Sequence, residues 1–65
     1  MTKKQKEALK ALEDAADKCV ERYGFICSDG YHDFSIGMLI AACHREGCEP
    51  KDMQAIFKDR PLEWD

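Results

Sequence analysis

Cys19, Cys27, Cys43, Cys48, His32 and His44 are the side chains in this 65-residue chain best equipped for chemistry. Thiolate and neutral imidazole are the ligands zinc prefers. Cys27-x4-His32 with Cys43-x4-Cys48 would supply four of them, and His44-x3-Cys48 can replace the second pair. The spacing is looser than that of a zinc knuckle, since no C-x2-C occurs. Cys19 and Cys43 also stand where a small buried apolar residue is wanted, a role free cysteine fills well. Packing is therefore the favoured role, no cofactor is expected, and Cys27, His32, Cys43 and Cys48 remain the set for a small zinc-stabilised helical domain. The absence of a secretion signal points to a reducing cytoplasmic compartment, which disfavours a disulfide framework.

Catalysis finds little support. Cys43 and His44 are neighbours in sequence, but on a helix they point about 100° apart and do not form a nucleophile and base. His32-Asp33 lacks a third partner, and Glu46, Glu49 and Asp52 read as helix-end residues, not as a paired acid and base. No glycine-rich phosphate loop occurs. The chain is expected not to be an enzyme.

Three helices account for most of the chain. Thr2-Lys3-Lys4-Gln5 matches a capping box, and Leu9, Leu12, Ala16, Cys19 and Tyr23 then recur every three or four residues, with Ala8, Ala15 and Val20 widening the stripe. Glu7, Lys10, Asp14, Asp17, Lys18 and Glu21 lie on the far side, and Gly24 ends the helix. Its lysine-rich first turn sits at the positive end of the helix dipole and should fray. From Ser35, a helix N-cap, Ile36 to Cys43 leaves no polar face, which places this helix at the centre of the fold, and Gly47 supplies a left-handed stop. Pro50 suits a first helical position, and Met53, Ile56 and Phe57 form one buried stripe. The expected layout is all-α: helices over about 3–23, 36–46 and 50–59, a loop at 24–34 and a tail at 60–65.

Size and charge narrow the functions further. One domain of this length buries only about 60% of the surface its unfolded chain exposes, so help from a partner chain is worth weighing. Two amphipathic helices of this size do not cover every side of so apolar a third, and Gly37 with Ala41 makes a small-residue face where another helix can approach. A homodimer is expected. Ten Lys and Arg against thirteen Asp and Glu give a net charge of −3, which argues against a broad grip on phosphates. The longest apolar run is eight residues, far below a membrane span.

A helix-turn-helix reading stands as the alternative. Cys43 precedes Gly47 by four, and Cys48, Met53 and Ile56 follow it at one, six and nine, the places that motif fills with small or apolar residues. Lys51, Gln54 and Lys58 would then be the DNA contacts. Glu49 and Asp52 stand at the same helix start, where base edges are usually met and the phosphate backbone repels them. Nucleic acid is therefore the disfavoured partner.

The link FICSDGYHDF is long for a connection between helices. Asp29-Gly30 signals a turn around which Ile26-Cys27 and Tyr31-His32 can pair as a hairpin. Phe25, Ile26 and Phe34 are expected to cap the bundle, which leaves Tyr31, His32 and Asp33 as protein-contact candidates. Trp64, beyond the helix-ending Pro61, either folds back with Leu62 or anchors a partner, and joins that set.

Taken whole, the Lys-rich start, the segment HDFSIGMLIAACHREG and the acidic balance resemble a small early-region accessory protein of a lambda-like temperate bacteriophage. The resemblance implies a regulatory protein that binds a host or phage protein and adjusts development. The expected function is accordingly protein–protein interaction by a non-enzymatic helical dimer.

Overall fold

A computed structural model describes residues 1–26 and 36–62. It is all-α: α1 (Lys3–Tyr23), α2 (Ile36–Arg45) and α3 (Pro50–Phe57). Tyr31, His32, Asp33, Trp64 and Cys27 lie outside the described residues, as does Ser35.

Local rules set the helix ends. The Thr2 hydroxyl accepts the Gln5 N–H at 3.1 Å, and Gln5 Oε1 accepts the Thr2 N–H at 2.9 Å, a complete capping box. Gly24 closes α1 at φ 86°, its N–H donating to the Val20 carbonyl at 2.7 Å. Gly47 closes α2 at φ 82°. There the Cys48 N–H donates to the Cys43 carbonyl and the Gly47 N–H to the His44 carbonyl, both at 3.0 Å. That pair of bonds defines a Schellman ending. Pro50 then opens α3, with Glu49 at the cap.

The core gathers on α1. Leu12, Ala16 and Cys19, the middle of its apolar stripe, are fully buried, and Leu9, Ala8, Ala15 and Val20 are half-buried beside them. Ile36 and Cys43 of α2, Met53 and Ile56 of α3, Cys48 in the turn and Ile26 complete the set of buried apolar residues. The sequence places α2 at the centre, but in the structure that place belongs to α1. It packs on both other helices, and these touch each other far less. Length explains the arrangement. At about 1.5 Å per residue α1 spans about 31 Å, more than α2 and α3 laid end to end, and the molecule's longest dimension is 31 Å.

Behind α1 the chain turns at Gly24, and the Cys19 thiol donates to the Phe25 carbonyl at 3.3 Å. Ile26, fully buried, forms an isolated parallel bridge with Leu62, and its N–H reaches the Pro61 carbonyl at 2.8 Å. The residue expected to pair across a hairpin thus pairs with the far end of the chain. Leu62 packs on the core from the same place. Arg60 holds this tail down: Nε and Nη2 lie 2.8 and 2.7 Å from Asp17 Oδ1 on α1, and Nη1 donates to the Ile56 carbonyl.

Candidate functional site

On α2 the residues that stay out of the core share one side. At 100° per residue, Gly37, Met38, Ala41, His44 and Arg45 fall within an arc of about 120°, and all five are exposed. The opposite arc holds Ile36 and Cys43, buried, with Leu39 and Ile40 half-buried against α1. Met38 is 73% exposed in the most apolar helix of the chain. The small side chains of Gly37 and Ala41 beside it leave the backbone open to close approach, and a Cβ added at Gly37 would meet nothing within 4 Å. A small apolar patch next to two basic-capable residues, His44 and Arg45, is thus what α2 shows to solvent.

Lys51, Gln54 and Lys58 all lie exposed along α3 or just past it. Lys51 Nζ sits 3.2 Å from Glu49 Oε2, so the first of these cations is already paired with the cap residue. α3 is eight residues long and leans on α1, with little contact to α2. In a helix-turn-helix the two helices brace each other so that the second projects into the groove. Here α1 does the bracing.

Of the sequence's metal set, Cys43 and Cys48 are brought together at the turn, both buried, while His44 next to them points outward and is exposed. Burial pushes the Cys43 thiol up, and the charge of neighbouring Cys48 and a hydrogen bond to it push the same way. Cys27 and His32 fall outside the described residues. Among the described residues no three His, Cys, Asp or Glu side chains converge as a metal site would require.

An open depression of about 380 Å³ lies between α1 and α3, lined by Met1, Lys6, Leu9, Lys10, Glu13, Asp52, Ala55 and Ile56. It contains no cysteine, histidine or hydroxyl that could serve as nucleophile. A second, of about 330 Å³, is edged by Met1, Gln5, Gly47, Cys48 and Glu49.

Gln5 is a residue whose reach the sequence does not reveal. Besides completing the capping box, its Nε2 donates to the Glu46 carbonyl at 2.9 Å, and its own carbonyl accepts the Cys48 thiol at 3.7 Å. The lysine-rich first turn of α1, expected to fray, is in this way joined to the α2–α3 turn. No helix is long and apolar enough to cross a membrane among the described residues. No family, no curated protein and no solved structure matches the chain.

Proposed function

We propose that this protein acts by protein contact, not by catalysis, and that the outer face of α2 makes the contact, in the first place with a second copy of the chain. The observation that carries the reading is Met38: a long apolar side chain, 73% exposed, at one edge of an arc that also holds Gly37 and Ala41. Covering such a face removes apolar surface from water at about 25 cal/mol per Å². A chain this small gains proportionally more from a partner than a large one does. In this reading the protein is a small regulatory or accessory factor, of the kind the phage-like resemblance implies, and a host or phage protein is its further partner.

Sedimentation equilibrium across the micromolar range tests the dimer. The chain is expected at twice 7.5 kDa, and Met38→Glu and Ala41→Glu are each expected to return it to 7.5 kDa with the helical circular dichroism retained. Monomeric wild-type protein throughout that range, or a dimer indifferent to both substitutions, would overturn the assignment of the face.

A further inference from the structure

Two thiols meet at the turn between α2 and α3, and the interaction face uses neither. A Schellman ending brings two side chains into contact, one on the helix three places before the cap and one just past the left-handed glycine. Apolar residues usually fill those places. Here they are Cys43 and Cys48, held in register by the Cys48 N–H to Cys43 carbonyl bond at 3.0 Å and by Gly47 at φ 82°.

The two sulfurs differ in their surroundings. Cys43 is fully buried, whereas Cys48 is 8% exposed and edges the open depression beside Met1, Gln5 and Gly47. Burial and the adjacent Cys48 favour a proton on Cys43. A thiolate attacks a disulfide and a second thiol resolves the adduct, so this asymmetry assigns the first step to Cys48 and the second to Cys43.

We propose that Cys43 and Cys48 are a dithiol redox site that closes reversibly to an intrachain disulfide on reaction with a small disulfide such as oxidised glutathione. The Cys48 thiolate attacks one sulfur of the reagent, breaks its S–S bond and releases one glutathione thiolate, leaving a mixed disulfide on Cys48. Cys43 then yields its proton to solvent, and its sulfur attacks Cys48 Sγ and expels the second glutathione thiolate. The protein gives up two electrons and two thiol protons, and one reagent disulfide becomes two thiols. Closure also removes the Cys48 thiol donor from the Gln5 carbonyl, where it sits at 3.7 Å. The turn then keeps the Gln5 Nε2–Glu46 bond as its link to the start of α1.

The intact chain, incubated with oxidised glutathione and quenched with acid, is read by mass spectrometry. The expected product is lighter than the reduced chain by two hydrogens. Trypsin cuts at Arg45, between the two cysteines, so the expected bond leaves the peptide spanning 46–51 joined to the one that contains Cys43, and fragmentation of the joined pair places the bond on Cys43 and not Cys27. This measurement needs no variant to fold. In support, Cys27→Ser is expected to close as wild type, and Cys43→Ser to stop as a glutathione adduct on Cys48. A chain that keeps its reduced mass, a bond mapped to Cys27 or Cys19, or stable adducts on both Cys43 and Cys48 would overturn the proposal.

Discussion

Gly47 meets two demands at one residue. Its backbone is left-handed at φ 82°, and a Cβ placed there would stand 3.3 Å from Gln5 Nε2, the atom that holds the Glu46 carbonyl. Gly24 has nearly the same backbone, φ 86°, with nothing within 4 Å of such a Cβ. An alanine in this region costs about 1–2 kcal/mol from backbone alone. Gly24→Ala is expected to show that loss and Gly47→Ala a larger one, because Gln5 has to move as well. Urea denaturation of the two variants checks the order, and equal losses would mean that the Gln5 link contributes nothing to stability. The capping box, the two glycine stops and Pro50 at the start of α3 are legible in sequence because each depends on residues within a turn of one another. The Gln5–Glu46 bond joins residues 41 apart, and no local pattern points to it. The thiol pair is an intermediate case. Cys43-x4-Cys48 invites a zinc reading, yet counting back from the left-handed Gly47 puts the two side chains on each other in the Schellman register.

Among the elements, α1 was legible down to its buried stripe, because polar residues on the far side mark which way it faces. α2 was legible as a helix but not in its orientation. From Ile36 to Cys43 no polar side chain tells which arc meets water, so Met38 and Ala41 read the same as Ile36 and Cys43, and only His44 and Arg45 in the last turn mark the exposed side. The same ambiguity made α2 look like the centre of the fold, a place that α1 takes by its length. The tail is an element the sequence treats as an afterthought, yet Arg60 fixes it to α1 at Asp17 and to α3 at the Ile56 carbonyl. Asp17 is 59% exposed, so solvent screens the ion pair, and Arg60→Ala is expected to cost about 1 kcal/mol or less. Leu12→Ala removes a fully buried side chain from the centre of the cluster and is expected to cost about 2–5 kcal/mol. Thermal melts of both variants test the ranking. A larger loss at Arg60 than at Leu12 would place the keystone of the fold in the tail.

Over the whole molecule, charge is unevenly spread. Residues 1–10 carry Lys3, Lys4, Lys6 and Lys10 against Glu7, while the other 55 positions carry six Lys and Arg against twelve Asp and Glu. The positive pole therefore lies at the start of α1, not on α3, where Lys51 and Lys58 are matched by Glu49, Asp52 and Asp59. Phosphate neutralisation supplies most non-specific DNA binding, so a mobility-shift assay is expected to show weak binding that reversing Lys51 and Lys58 to Glu leaves unchanged. Tight, salt-sensitive binding lost in those variants would restore α3 as a recognition helix. The acidic bulk and basic pole also mean that any partner docking on α2 meets a surface whose long-range field is repulsive to anions over most approaches.

The seam between Ile26 and Leu62 sets a timetable for biosynthesis. While the ribosome is still adding α3, the emerging chain has Ile26 with no backbone partner and the greasy side of α1 without its full cover, because those contacts are completed by residues not yet made. The nascent protein stays open to misassociation, or to capture by a chaperone, until almost the last amino acids of the clasp have cleared the exit tunnel.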